Sequence, residues 1–95
     1  MTDQLTRQDF ENLGPRSLKV LAADGEIGLT VLELRDLPNP SPRAHPFAVI
    51  LEGPSNPLLP QAILPLVHPT LGRLDVFVVP IAQDARHTRY ELVFN

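Results

Sequence analysis

The chain has 95 residues, of which 43% are hydrophobic and 20% charged, and its formal net charge at neutral pH is −3. This composition is ordinary for one globular domain and excludes wholesale disorder, because enough apolar surface is present to form a core. The absence of cysteine excludes disulfides, zinc–thiolate sites and thiol catalysis. The lack of any basic cluster argues against nucleic acid as a partner.

The N-terminal segment carries the signals of one short helix over residues 6–13. Thr6 can cap the first turn, and the Asp9 carboxylate can accept hydrogen bonds from the free amides of that turn. Gly14 follows as a stop signal. We expect Phe10 to lie on the face that docks the helix onto a sheet.

Targeting signals are missing from this segment. Residues 1–5 contain neither the basic region nor the apolar run of a signal peptide. No stretch reaches the roughly 20 apolar residues that a membrane helix needs. We therefore expect a cytoplasmic protein without a membrane partner, with leaderless export left open.

Two strands joined by a hairpin turn come next. Residues 17–23 alternate with a period of two, and Asp24-Gly25 is a strong turn signal because glycine accepts a positive φ. In the returning strand, residues 26–36, the apolar phase slips by one near Val31 and Leu32. This slip predicts a β-bulge or a strand that crosses between sheets.

Prolines mark the middle of the chain. Four of them within residues 37–46 predict a stiff, extended connection, with a ligand for aromatic grooves as the alternative. Residues 46–52 read as the third strand. The fourth, residues 61–67, contains Pro65, which cannot donate to a ladder and so predicts an edge strand or an irregular one.

The C-terminal strands cover residues 73–80 and 88–94, and we expect them to pair antiparallel across a polar loop. The apolar run from Val76 to Val79 predicts the most buried, central strand. Strands without intervening helices indicate a mainly β single domain over residues 1–95. Its predicted form is a six-stranded antiparallel small barrel or sandwich with one short N-terminal helix.

Four stretches of the C-terminal half occur together: Pro57-Leu58-Leu59-Pro60-Gln61, His68-Pro69-Thr70-Leu71-Gly72, Phe77-Val78-Val79-Pro80 and Tyr90-Glu91-Leu92-Val93-Phe94-Asn95. With this spacing the chain resembles a family of small bacterial domains of unknown function with the pattern P-L-x-P-Q, H-P-x-L-G, F-x-V-P and Y-E-x-V-F-N. It departs from that family at Leu64, where the resemblance implies an aromatic residue. The resemblance implies no activity, only a neighbourhood with genes for tail-collar-type fibre proteins.

The histidines are the candidates for a metal site or a general base. None of His45, His68 and His87 has a second ligand at i+2 or i+4. A metal would need distant loops, for instance His68 with Asp75, or His68 with Asp84 and His87. The structural alternative for His68 is a ring hydrogen-bonded to the backbone of its own turn. We predict no metal and no cofactor.

Other catalytic patterns are weak. The carboxylates alternate with apolar strand residues, so solvated strand charges explain them better than an acid–base pair does. The serines lack a nucleophile-elbow context, and the glycines are scattered singly. We therefore predict that the protein is not an enzyme.

The remaining function class is interaction. We predict a non-enzymatic accessory or structural module that binds another protein or its own copies, with a link to a fibre or tail-like assembly resting on the resemblance alone. The alternatives are a small-ligand-binding β-barrel and an enzyme that depends on a histidine. Candidate partner-binding residues lie around the proline-marked strand, where a partner strand could add: Pro57, Leu58, Pro60, Gln61 and His68.

Overall fold

The computed structural model describes residues 5–22, 25–37 and 46–94. Its elements are a 3-10 helix, Arg7–Phe10, and the strands β1 Leu18–Ala22, β2 Gly25–Asp36, β3 Phe47–Pro54, β4 Ala62–His68, β5 Gly72–Gln83 and β6 His87–Phe94. Three features singled out from the sequence fall outside the described residues. They are the turn residue Asp24, most of the proline-rich loop, and the final Asn95.

The strands close into a barrel in the order β1-β2-β3-β6-β5-β4, and every neighbouring pair is antiparallel. This confirms the predicted mainly β, six-stranded antiparallel fold and selects the barrel over the sandwich. The expected pairing of the two C-terminal strands is present, since Val79 lies opposite Glu91. The bulge expected near Val31 is also present, as a register shift between Val31 and Glu33.

Of the two alternatives predicted for the proline-bearing strand, an edge strand or an irregular one, the edge position is wrong. β4 pairs with β5 over all seven of its residues and with β1 on its other side. The pairing with β1 covers only Lys19 with Val67 and Val20 with Leu66. Pro65 comes next and has no N–H to donate, so the ladder ends there. Among the described residues this seam is the shortest of the six strand pairings.

The N-terminal helix is shorter than the predicted span 6–13. Its cap forms as expected, because the Asp9 carboxylate accepts the Thr6 N–H at 2.8 Å. The chain becomes extended at Glu11, with φ −81° and ψ 149°. Asn12 then adopts a φ of +59°, which a continuing right-handed helix does not allow. One turn of 3-10 helix is enough to direct Phe10 into the barrel.

Side chains close both ends of the barrel. At the end where β3 begins, the Phe10 ring packs against Phe47 and Phe94, with centroids 6.0 and 5.6 Å away. At the other end, the buried Leu59 donates its N–H to the hydroxyl of Tyr90 at 3.0 Å. The interior between them is one core, made of Leu5, Phe10, Leu18, Val20, Ile27, Leu29, Phe47, Val49, Leu51, Leu59, Leu66, Val76, Val78, Tyr90, Leu92 and Phe94.

The most buried strand is β3, not β5 as the sequence suggested. All residues from Phe47 to Leu51 are buried. In β5, Val76 and Val78 point inward, whereas Phe77 between them is half exposed. The predicted burial of residues 76–79 on both faces is therefore wrong, and the outer side of β5 is apolar and open to solvent.

Gly53 occupies an inner position of β3 where a side chain does not fit. A Cβ there would lie 2.5 Å from Cδ2 of the fully buried Leu29. We expect Gly53→Ala to lower the free energy of unfolding by about 1–3 kcal/mol, because Leu29 cannot move without displacing its packed neighbours. Urea denaturation measures this loss. The matched control is Gly14→Ala, whose new Cβ would lie 3.5 Å from Ser17 Oγ; a similar loss in both variants would contradict the assignment.

Candidate interaction surface

The outer side of β4, β5 and β6 carries large apolar side chains in adjacent positions. Ile63 of β4 lies directly opposite Phe77 of β5. Val93 of β6 lies beside Phe77, because Val79 pairs with Glu91 and the two strands are antiparallel. Ile63, Phe77 and Val93 are 70%, 50% and 44% exposed. Together with the half-buried Val79 and the exposed Ile81, they form what we call the apolar face.

The outer side of β3 is different, because its apolar residues are covered. Ala48 and Ile50 point outward yet are only 1% and 4% exposed. Ile50 lies between Glu33 of β2 and Glu91 of β6, and Arg35 lies opposite Ala48. Long charged side chains therefore shield this part of the wall, and the apolar face lacks such a cover.

The charges over β3 are held in place by one another. Arg35 donates two hydrogen bonds to the carboxylate of Glu33, at 2.7 and 3.1 Å. The hydrogen bond from Arg35 lowers the pKa of Glu33, and the same bond raises the pKa of Arg35. This bidentate pair favours a fixed position over Ala48 and Ile50.

The border of the apolar face is electrically balanced. On β5, Arg73 Nε lies 3.3 Å from Asp75 Oδ1. On the outer side of β6, Arg89 alternates with Glu91. β5 and β6 thus each contribute one acidic and one basic residue to this border. The border therefore has no net charge, although the whole chain has a formal net charge of −3.

The structure separates the residues predicted to bind a partner. Pro57, Leu58, Pro60 and Gln61 are exposed and lie in the segment that leads into β4. His68 is at the opposite end of that strand and is only 3% exposed. Leu58, Pro60 and Gln61 therefore lie in the stretch that leads to Ile63. Pro57 instead lines a cleft together with Arg16 and Arg86, and His68 belongs to the interior.

His68 ties the β4–β5 turn to the 3-10 helix. Its Nδ1 accepts the N–H groups of Thr70 and Leu71, at 3.1 and 3.2 Å. Since Nδ1 is an acceptor, the ring proton is on Nε2, which donates to the carbonyl oxygen of Asp9. The ring also meets Phe10 edge-on, with centroids 5.6 Å apart. The structural role predicted for His68 in its own turn is confirmed.

Comparison with protein families finds a match to a domain of unknown function designated DUF6916, which covers residues 5–94. The chain belongs to the DUF6916 family. The resemblance to a family of small domains of unknown function is thereby confirmed, and the finer sequence pattern stays an expectation. Comparison with curated proteins and with solved structures finds no match.

The four stretches that carried the resemblance lie in, between or just before the strands β4, β5 and β6 that carry the apolar face of this DUF6916 domain. The first leads into β4, the second forms the β4–β5 turn, the third lies in β5, and residues 90–94 of the fourth lie in β6. Phe77 and Val93 are members of the third and fourth stretches and are also members of the apolar face. The sequence interpretation placed Phe77 in the core and so missed its exposure; the signal was the uninterrupted apolar run in β5, which leaves one alternate set outside.

Metal ligands are not assembled among the residues that the DUF6916 structure describes, where no group of three His, Asp or Glu side chains is placed to hold an ion. The described part of the chain also has no helix long and apolar enough to cross a membrane. His68 is committed to its turn, and His87 lies 3.9 Å from Glu52 at the other end of the barrel. The combinations considered from the sequence are therefore not brought together.

Asp84 organises the turn between β5 and β6. Its Oδ1 accepts the N–H groups of Arg86 and His87, both at 2.8 Å. Its own N–H donates to the His87 carbonyl at 2.9 Å. The bonds from Arg86 and then His87 hold the pKa of Asp84 below its usual value near 3.8.

This turn predicts a pH dependence for the DUF6916 domain. Because the folded pKa of Asp84 is lower than the unfolded one, its contribution to stability is present above the unfolded pKa and is lost as the pH falls through the folded pKa. We expect the destabilisation caused by Asp84→Ala to be full at neutral pH and to shrink below about pH 4. Urea denaturation of both proteins across this range measures it. A destabilisation of the same size at pH 7 and in acid would contradict the prediction.

Proposed function

We propose that this domain is a non-enzymatic interaction module that associates through the apolar face, and that its partner is a second copy of the chain. The observation that carries the proposal is the row Ile63, Phe77 and Val93, exposed side by side on a rigid barrel wall. Contiguous exposed apolar patches on soluble domains typically mark interaction sites. Phe77 is the central anchor, because aromatic residues carry much of the binding energy of protein interfaces.

The balanced border supports a second copy as the partner. Two identical faces related by a two-fold axis bring the same residues together from both sides. Where each border strand has one acid and one base, such a rotation can place Arg73 of one copy opposite Asp75 of the other without like-charge contacts. A uniformly acidic border would instead repel its own copy.

The other function classes are weaker proposals. A ligand inside the barrel would have to displace the packed rings of Phe10, Phe47 and Phe94. A histidine-dependent enzyme would have to use His68 or His87. The ring nitrogens of His68 already bond the turn and the 3-10 helix, and within the described part of the chain the ring of His87 has only Glu52 as an acidic contact, at 3.9 Å. We propose no cofactor and no nucleic-acid partner. Association with a fibre or tail-like assembly belongs to the proposal only through the gene-neighbourhood resemblance.

The test is the oligomeric state of a double variant. We expect wild-type protein to show twice the monomer mass in size-exclusion chromatography with light scattering, at concentrations above its dissociation constant. Ile63→Ser combined with Phe77→Ser is expected to weaken dimerisation about a hundredfold or more, since each anchor is worth at least about 1.4 kcal/mol.

The matched control is Leu32→Ser, which removes an exposed leucine from β2, outside the apolar face. It is expected to leave the dimer intact. A wild-type protein that stays monomeric up to millimolar concentration would refute self-association. A dimer that tolerates the double variant but loses mass in the control would place the interface elsewhere.

A further inference from the structure

The barrel has a second surface feature, a cleft on the outer side of β2 and β3. Its volume is about 470 Å³, within the range of small-ligand sites. One wall is the outer side of β2, and the other is formed by the end of β3, the segment that follows it and the β5–β6 turn. Its charged lining residues are Arg16, Glu26, Glu52 and Arg86, and the imidazole of His87 also lines it. The cleft is distinct from the apolar face, which uses β4, β5 and the end of β6.

Arg16 is held over the cleft by an unusual backbone conformation. Residues 14–17 form a β-turn in which Ser17 N–H donates to the Gly14 carbonyl at 3.3 Å. Arg16 is the third residue of this turn and has a φ of +57°, where glycine or asparagine is usual. Its N–H donates to Thr30 Oγ1 at 3.0 Å, which fixes the turn to β2. A strained conformation at a residue with a long charged side chain points to a use for that side chain.

The side chain of Arg16 is laid along β2 because Gly28 makes room for it. A Cβ on Gly28 would lie 3.0 Å from Cβ and 3.3 Å from Cγ of Arg16. The stem therefore rests directly on the strand backbone. This contact presets the direction of the guanidinium group toward the cleft that both residues line.

The backbone of Arg86, on the opposite wall of the cleft, is held by hydrogen bonds between two loops, the β5–β6 turn and the segment that follows β3. Its N–H donates to Asp84 Oδ1 at 2.8 Å, and its carbonyl accepts the Ser55 N–H at 3.2 Å. The Ser55 hydroxyl donates to the Ala85 carbonyl at 3.1 Å, and Gln83 donates to the Ser55 carbonyl at 2.6 Å. The backbone that presents Arg86 is thus cross-linked to the segment after β3.

The charged groups of the cleft differ in whether they have an ion-pair partner. Glu26 lies 3.9 Å from Lys19 Nζ, whereas Glu52 lies 3.9 Å from His87 Nε2, a contact that is an ion pair only when the imidazole is protonated. Within the described ranges 5–22, 25–37 and 46–94, the guanidinium groups of Arg16 and Arg86 form no ion pair. These two guanidinium groups are therefore the cations of the cleft that remain available to an anionic ligand.

We infer that the cleft binds the carboxylate groups of a small organic acid, with Arg16 and Arg86 as the binding residues. A guanidinium group presents parallel N–H donors that match a planar carboxylate. A phosphate dianion would bring both of its negative charges, on one small group, close to the Glu26 and Glu52 carboxylates, whereas a dicarboxylate carries the same total charge on two separated groups. Two preset arginines on facing walls fit a dicarboxylate best. The inference uses a different surface from the proposed function and does not depend on it.

The test is a titration of ¹⁵N-labelled protein with succinate in a low-salt buffer without other polyvalent anions. We expect saturable shifts of the amide signals of Gly28, Gly53, Arg86 and His87. Arg16→Gln and Arg86→Gln are each expected to weaken binding about tenfold, the effect of losing one charge-assisted contact. Arg73→Gln, which removes an exposed arginine outside the cleft, is the matched control and is expected to bind as the wild type does. The spectrum of each variant shows whether it is folded.

Two further ligands sharpen the test. Neutral succinamide is expected to cause no saturable shift, because the guanidinium groups then have no charged partner. Inorganic phosphate is expected to bind these amides more weakly than succinate does. The inference is overturned if succinate shifts do not saturate, if both cleft variants bind like the wild type, or if phosphate binds more tightly than succinate.

Discussion

We expect Phe10→Ala to lower the free energy of unfolding by about 3–5 kcal/mol, a large part of the total stability of a domain of this size. Phe10 is 1% exposed and closes one end of the barrel against Phe47, Phe94 and His68. Its removal leaves a cavity that the rigid strands cannot collapse to fill. Urea or thermal denaturation with folded controls measures the loss.

The matched control is Phe77→Ala, which deletes the same side chain from the outer surface of β5. It is half exposed, so we expect a loss of about 1 kcal/mol or less when measured at protein concentrations below self-association. Equal losses at the two positions would show that Phe10 is not a core residue of the barrel. Comparing the two variants therefore distinguishes the contribution of a side chain that closes the barrel end from that of a side chain that packs on the surface.

We expect His68→Ala to cost about 2–4 kcal/mol, through lost packing and three backbone groups left without their partner. The Thr70 and Leu71 N–H groups lose an acceptor, and the Asp9 carbonyl loses a donor. Denaturation measures the change. The control His87→Ala removes an exposed imidazole whose nearest acid, Glu52, is 3.9 Å away, and a loss of less than about 1 kcal/mol is expected.

Since His68 and Phe10 are in contact, the two substitutions should not be additive. The double variant is expected to lose less than the sum of the single variants, because either change already releases the 3-10 helix from the barrel. If the losses in the free energy of unfolding simply add, the rings of His68 and Phe10 do not hold the 3-10 helix on the barrel together, and this interpretation is contradicted.

Much of the fold could be predicted because the strands have local signals. Period-two alternation indicated six strands, and the phase slip at Val31 indicated the bulge that the structure contains. The position of His68 directly before a proline-containing turn also indicated its structural role, since a histidine ring is short enough to bond the two N–H groups that follow Pro69. These features depend on residues that are neighbours in sequence.

Other features depend on contacts between distant segments and left no local trace. The seam between β1 and β4 joins Val20 to Leu66, so nothing near Pro65 shows that the strand lies within a closed barrel. The close approach of Gly53 to Leu29 is of the same kind. In the run from Val76 to Val79 both faces are apolar, so the pattern does not show which set points outward. For this reason the sequence did not indicate that Phe77 and Val79 belong to the apolar face.

The helix was overestimated for a related reason. The cap at Thr6 and the stop at Gly14 describe where a helix can begin and end, not whether tertiary contacts favour one. Docking of Phe10 requires only one turn, and the chain then turns away at Asn12. A segment of this length has little helical stability of its own, so packing decided its form.

The central claim, that the apolar face binds a second copy, is tested most directly by paramagnetic relaxation between copies. The natural chain contains no cysteine, so Ala82→Cys provides one exposed site for a nitroxide label on β5, next to Ile81 and outside the charged border of the face. The labelled protein is mixed with an equal amount of unlabelled ¹⁵N protein, in which only contacts between copies broaden signals. We predict broadening at the amides of Ile63, Phe77 and Val93 and none at Leu32. Broadening confined to other surfaces, or none at concentrations where light scattering detects a dimer, would contradict the claim.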